Sequence, residues 1–165
     1  MISDLFIRLV RLDDAQELCG LLNEIIEIGG TTAYETPLTE DEFRNGFLLG
    51  ERHLCCYVAI DFLGALAGFQ VIERHPELPD DWVDIATFAR VAPRIKGIGT
   101  ALFAKTIGHA REAGVTAINA TIRADNKGGL TYYERIGFRT YSVAKDIPLN
   151  NGKKIDRISK RLFIS

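Results

Sequence analysis

Basic runs are missing from this sequence. No stretch of Lys or Arg exceeds two residues, and the formal net charge is -2 with a pI near 5.9. The electropositive face that nucleic-acid binding demands is therefore not expected. An anionic ligand would have to be held by a local site rather than by the field of the whole protein. Long apolar runs are missing as well: no segment approaches the roughly 20 apolar residues that a membrane span needs. No N-terminal stretch joins a basic start to an apolar run, so no signal peptide is expected. Cysteine is scarce. Cys19, Cys55 and Cys56 make an odd count with two adjacent, which argues against a disulfide framework and for a reducing, cytoplasmic setting. The last two lie in the apolar stretch Leu54–Ile60 and read as buried thiols. No set of His, Cys, Asp and Glu has metal-ligand spacing, so no metal is expected.

What is present is ordinary globular composition. The 165 residues are 47% hydrophobic and 25% charged, which fits one domain over residues 1–165 with a core that needs no metal or disulfide. Phe6–Val10 reads as a strand. Asp14 and Glu17 read as a capping box for a helix whose stripe is Ala15, Leu18, Leu22, Ile25 and Ile26, stopped by Gly29-Gly30. After the polar and aromatic loop Thr31–Leu38, Thr39 and Glu42 repeat the box, with Phe43 and Phe47 as the apolar face. Leu54–Ile60, Ala65–Ile72 and Val83–Val91 read as three strands, the first two joined as a hairpin. A helix then runs to about Ala113, followed by a strand at Val115–Ile122 and a short helix from Asn126 to Gly137. Strands at Phe138–Ile147 and Ile155–Phe163 close the chain. A strand-rich first half followed by a β-α-β crossover predicts an α/β (α+β) fold: a mixed, mostly antiparallel sheet of about seven strands with helices on both faces.

The most informative stretch is Arg94-Ile95-Lys96-Gly97-Ile98-Gly99-Thr100, which follows a strand and opens a helix. Glycine lets the backbone turn tightly and a ligand lie against it. The first amides of a helix lack intrahelical partners and the helix dipole adds partial positive charge, so the turn suits an anion, above all phosphate. Arg94 and Lys96 would add charge at the rim. The glycines alone describe a tight strand-to-helix turn equally well. A Walker loop would need Lys before Thr100, and a Rossmann fingerprint would need a third glycine where Leu102 and Phe103 stand.

Downstream, Asn126, Gly129, Tyr133 and Gly137-Phe138 follow at intervals of three, four and four residues. Helical spacing puts Gly129 and Tyr133 on one face. Gly129 leaves room beside the helix, and Asn126 can both cap the helix and reach a ligand. Together the two segments resemble the acetyltransferases of the GNAT superfamily: Arg94-x-x-Gly97-x-Gly99 is similar to their pyrophosphate-binding signature, and Asn126-x-x-Gly129-x-x-x-Tyr133-x-x-x-Gly137-Phe138 to the segment that follows it. The preceding order of one strand, two helices and three antiparallel strands also matches, so the resemblance covers nearly the whole chain. Ile122–Asn126 and Asp156-Arg157 resemble the phosphinothricin-acetyltransferase-type branch more narrowly. Ile95 and Gly129 depart from the Gly and Ala frequent in the family, at positions its signature does not require.

The resemblance implies the GNAT fold and acetyl-coenzyme A as cosubstrate. Its pyrophosphate would lie on the amides of Ile95, Lys96, Gly97, Ile98, Gly99 and Thr100, its pantetheine beside Thr87, Phe88 and Ala89, in a gap where the sheet splays. A neutral amine must attack the thioester, yet an alkyl amine with a pKa about 10.4 is neutral only on the order of one part in a thousand at pH 7. A base must therefore take the proton. Glu35 and Asp84 are the candidates, with His75 behind them and a water relay as the alternative; each carboxylate also reads as a solvated surface group. Tyr133, protonated at neutral pH, is the candidate general acid for the leaving thiolate, against its plainer reading as a core aromatic. Arg74, Arg90 and Arg123 could pair with a substrate carboxylate, although surface ion pairs explain them more simply. Thr31-Thr32-Ala33-Tyr34 would shape the acceptor pocket.

The expected activity is acetyl transfer to a small-molecule amine, an amino acid or analogue slightly favoured. Acetylation of a protein N-terminus or lysine, a non-catalytic coenzyme A-binding regulatory domain and a nucleotide-binding module stay open as rivals. Relatives often pair, so a homodimer is an expectation without a local sequence signal.

Overall fold

The computed structural model describes residues 5–164. Strand β1 (Phe6–Leu9) leads through a short 3-10 turn at Leu12–Asp14 into helix α1 (Ala15–Ile28). Helix α2 (Glu40–Phe43) widens at once into a π turn over Arg44–Leu48. Strands β2 (His53–Ile60), β3 (Leu66–Glu73) and β4 (Trp82–Ala89) follow. Helix α3 (Ile98–Glu112), strand β5 (Ala117–Arg123), helix α4 (Lys127–Arg135) and strands β6 (Arg139–Pro148) and β7 (Lys154–Phe163) complete the chain. The described residues form one seven-stranded sheet in the order β1-β2-β3-β4-β5-β7-β6. Every neighbouring pair is antiparallel except β4 and β5, which α3 joins as a crossover. The expected α/β architecture is the observed one.

Two layers of core follow from strand alternation. On one face Val58, Phe69, Val71 and Phe88 meet the stripe of α1 and the rings of Phe43 and Phe47. On the other, Ile72, Val83, Ile85, Ile118, Ala120 and Ile122 pack against Phe103 and Ala110 of α3 and Tyr133 of α4. The second capping box forms as expected, Glu42 N–H donating to Thr39 Oγ1 and Thr39 N–H to Glu42 Oε1, both at 3.1 Å.

The first box does not form. Asp14 makes no side-chain cap to α1; its carboxylate takes both arms of Arg8 at 2.8 and 2.9 Å and the Arg11 N–H at 2.7 Å. A guanidinium fork outbids a single amide for a carboxylate. Glu17 instead accepts from the Leu66 N–H at 2.9 Å, tying α1 to the start of β3.

The parallel pair is short. β4 and β5 pair only at Trp82–Ala117, Val83–Ile118 and Asp84–Asn119. Beyond that point Ile85–Ala89 and Ala120–Arg123 diverge, and a slot opens in the middle of the sheet. Arg90 N–H donates to Ala67 O at 2.8 Å, so the alternation of an antiparallel ladder turns the backbone groups of Ala89, Thr87 and Ile85 away from β3 and toward the slot.

Candidate active site

A cavity of about 560 Å³ runs through this slot, lined on one side by Thr87 and Tyr133 and on the other by Asp84, Glu73 and Tyr34. The same alternation that builds the two cores sets its chemistry. Thr87 shares a face with Ile85 and meets α4, whereas Asp84 shares a face with Ala86 and Phe88 and looks toward the loop after α1. Tyr133 and Asp84 thus reach one cavity from opposite faces of the sheet.

On the α4 side, the Tyr133 hydroxyl lies 2.9 Å from Thr87 Oγ1, and burial raises its pKa far above the ordinary phenol value. Thr87 Oγ1 accepts from Gln70 Nε2 at 2.9 Å, and the same nitrogen donates to the Tyr132 hydroxyl at 3.1 Å. The Tyr132 hydroxyl donates to Gly99 O at 2.8 Å, and burial pushes its pKa up to about 12. Gln70 is fully buried, and its Oε1 has no partner among the described residues. Sequence reading missed both Gln70 and Tyr132. The available signal was a polar residue inside the apolar run Phe69-Gln70-Val71-Ile72, at a position a core strand does not tolerate without hydrogen bonds.

The glycine turn follows β4 and opens α3, and none of its residues lines the cavity. Gly97, with φ 87°, is the left-handed N-cap of α3, a conformation only glycine adopts cheaply. Arg94, Lys96, Gly97 and Thr100 are exposed, Ile95 and Gly99 half-buried, and Ile98 is buried over Ala59, Ala67 and Leu102. The first amides of this fifteen-residue helix have no intrahelical partners. With the free edge of Ile85–Ala89 alongside, the residues fit a long ligand carrying a phosphate at one end and amides along its stem. Phe88 turns its ring to the core, stacked on Phe69 at 4.8 Å, and its backbone groups to β3.

Asn126 does cap α4, its Oδ1 accepting from Gly129 N–H at 2.9 Å, while its Nδ2 donates to Thr31 O at 3.0 Å. The space beside Gly129 is filled by this same side chain: a Cβ there would stand 2.5 Å from Asn126 Nδ2. Thr31, Thr32, Ala33 and Tyr34 line the cavity as expected.

The two candidate bases part company. Asp84 lines the cavity, and burial raises its pKa while a bond from Asn119 pulls it down. Its cross-strand partner Glu73 is raised too, by burial and by Asp84. Glu35 sits outside this cavity, accepting from Asn150 N–H at 2.8 Å beside a separate hollow of about 210 Å³. His75 lines the main cavity. Of the three arginines, Arg90 pairs with Asp61 at 3.0 Å and Arg74 donates to Asp80 O at 2.6 Å. Arg123 holds Asp125 at 2.8 Å and donates to Thr32 O at 3.1 Å, staying on the cavity wall. Beside it Arg157 lines the cavity with its Nε unpartnered among the described residues. Among those residues no three His, Cys, Asp or Glu side chains group as a metal site, and no helix is long and apolar enough to cross a membrane.

A split parallel pair, a glycine turn at a helix N-terminus and a tyrosine on the following helix define an acyl-coenzyme A-type transferase fold. A model of the acetyltransferase (GNAT) family matches residues 19–138, and the chain belongs to that family. It is 25% identical over 152 residues to the Bacillus subtilis protein YwnH, provisionally named a phosphinothricin acetyltransferase; the match covers 91% of this chain and 93% of that one. It is also similar in fold to a Sinorhizobium meliloti phosphinothricin acetyltransferase solved with AcCoA, with a TM-score of 0.83, 21% identity and coverage of 98% of this chain and 89% of that chain. A second crystal structure with the same provisional name as YwnH gives a TM-score of 0.85 at 25% identity, covering 98% and 99% of the two chains.

Proposed function

We propose that this protein acetylates the amine of a small molecule, an amino acid or analogue, by direct attack of the amine on the thioester of acetyl-coenzyme A. The observation that carries this reading is the slot between β4 and β5 with Asp84 on one face and Tyr133 on the other. Acetyl-coenzyme A supplies the activated acetyl group, its phosphates fitting the turn Ile95–Thr100 and its stem the edge Thr87–Ala89.

Asp84, raised above an ordinary carboxylate, is the base that takes the ammonium proton. The C–N bond forms as the C–S bond breaks, and the attacking nitrogen gives its second proton to solvent. Tyr133 then donates to the departing sulfur: Thr87 Oγ1 already accepts from Gln70, so the Thr87 hydroxyl can donate to Tyr133 and leave the Tyr133 hydrogen for the cavity. Full transfer from a phenol held so high in pKa is uphill, so Tyr133 acts by hydrogen bonding, with the proton finally supplied from solvent. Support for an amino-acid acceptor is the pairing of cationic Arg123 and Arg157 with acidic Asp84 and Glu73 around one cavity. A guanidinium suits a carboxylate and a carboxylate pair suits an ammonium.

The test is thiol release from acetyl-coenzyme A against amino acids, amino-acid analogues, polyamines and peptides. Release with amino acids or analogues alone supports the reading. Release only with peptides transfers the activity to protein substrates, and coenzyme A binding without any turnover favours a regulatory domain.

A further inference from the structure

The carboxylate assigned as the base is held by a set of residues that the reaction itself does not use. Asn119 stands opposite Asp84 at the last pair of β4 and β5, and it is almost fully buried. Its Nδ2 donates to Asp84 Oδ1 at 2.8 Å and to Thr121 Oγ1 at 3.1 Å, so both amide hydrogens are committed. Its Oδ1 accepts from the Tyr141 hydroxyl of β6. Tyr141 is itself braced by the Arg161 guanidinium, 4.6 Å from the ring centroid, and edge-on against Trp82 at 6.2 Å.

Two consequences follow from elementary chemistry. An amide has no titratable proton to pass on, so Asn119 cannot relay the ammonium proton; it can only hold Asp84. Holding one carboxylate oxygen leaves the other, Asp84 Oδ2, without a partner among the described residues and beside the cavity. The direction of the amide also matters. A flipped Asn119 would aim its own oxygen at the carboxylate, and a phenol that donates to Oδ1 stabilises the useful orientation.

We propose that Asn119 is the positioning residue for Asp84, fixing Oδ1 so that Oδ2 faces the acceptor amine, and that Tyr141 locks the Asn119 amide in the orientation that does so. The proposal rests on Asp84 acting as the base. The titratable and charged groups around Asp84 are Glu73 and His75 from β3 and its end, Tyr34 from the loop after α1 and Tyr133 from α4. Tyr141 from β6 completes them, with Arg161 behind it on β7. Among these Glu73 is a second carboxyl, also raised by burial, and shares the cavity, so it must be silenced before Asp84 can be read alone.

The experiment is a carbon-13 NMR titration of the Asp84 carboxyl in the whole protein without substrates, in a Glu73→Gln background. It compares Asn119, Asn119→Ala and Tyr141→Phe, and each variant is also taken through a kcat/KM-versus-pH profile with acetyl-coenzyme A. Loss of the Asn119 donor should raise the Asp84 titration by about one unit and move the acid limb of kcat/KM up by the same amount, about a tenfold loss on that limb, with recovery as pH rises. Tyr141→Phe should move both in the same direction by less, and as a partly exposed edge-strand substitution it reads the network even where Asn119→Ala does not fold. An Asp84 titration unmoved in Tyr141→Phe overturns the role of Tyr141. One unmoved in both variants overturns the whole proposal. A shifted titration with full turnover retained in Asp84→Asn supports the hydrogen-bond network and overturns the base assignment instead.

Discussion

The Tyr132 hydroxyl donates to the Gly99 carbonyl at 2.8 Å, and its ring covers the spot where a Gly99 side chain would sit, 2.6 Å from a Cβ built there. One contact therefore couples the N-terminal turn of α3, where phosphate would be held, to α4, where the next residue is Tyr133. It also separates the two glycines of the turn by cause. Gly97 is required by its left-handed backbone and has open space around it, while Gly99 is required by the aromatic ring lying on it.

Gly99→Ala should accordingly destabilise through overpacking, by about 1–3 kcal/mol, and weaken coenzyme A binding by displacing α4 from α3. Gly97→Ala should cost about 1–2 kcal/mol from backbone strain alone. Adding Tyr132→Ala to each separates them in chemical denaturation: the double variant with Gly99→Ala should be less destabilised than the sum of its parts, and that with Gly97→Ala close to additive.

Tyr133→Phe removes a buried hydroxyl and its bond to Thr87, costing about 1 kcal/mol of stability. If Tyr133 serves the leaving sulfur, kcat should fall on the order of a hundredfold while the KM for acetyl-coenzyme A stays within about twofold. Steady-state kinetics check this, and an unchanged kcat would remove Tyr133 from the chemistry.

Asp84 makes a prediction of opposite sign for stability and for activity. Burial sets its folded pKa above the unfolded one, so its contribution to stability is complete below the unfolded pKa and is lost as pH rises through the folded value. Asp84→Asn should therefore unfold at a higher temperature than the parent at pH 7 and match it near pH 3, while losing turnover at pH 7. In the parent, kcat/KM should fall as pH drops through that same raised value.

Asp14 carries the reverse linkage. The Arg8 fork and the Arg11 amide hold its pKa below the ordinary carboxylate value, so its contribution is present above the unfolded pKa and fades as pH falls through the folded one. Asp14→Asn should destabilise by about 1–3 kcal/mol at neutral pH and by much less in strong acid, read by urea melts at the two pH values.

Much of the fold was legible because its signals are local. Glycines closed α1, opened α3 and ended α4 where expected, and the crossover after β4 followed from the change of period. The Asn126 cap was legible for the same reason. What the sequence hid is cross-strand. Asn119 and Tyr141 lie in strands that read simply as β, and their partnership needs the register of β5, β7 and β6. The Asp14 box failed because Arg8, on another element, competes for the carboxylate. Glu35 resembled a pocket residue by loop position, and the fold of that loop turns it to Asn150.

Direct transfer to the amine, with no acetylated protein on the way, is the central claim. Its nearest competitor would be a cysteine nucleophile, yet Cys19, Cys55 and Cys56 are all buried, with burial raising the Cys55 thiol to about 12. The direct test is stopped-flow thiol release from acetyl-coenzyme A, with and without an amino-acid acceptor, alongside the intact mass of the protein. The account predicts no burst and no mass gain until amine is added, then steady release. A stoichiometric burst with an acetyl adduct in the absence of amine would contradict it.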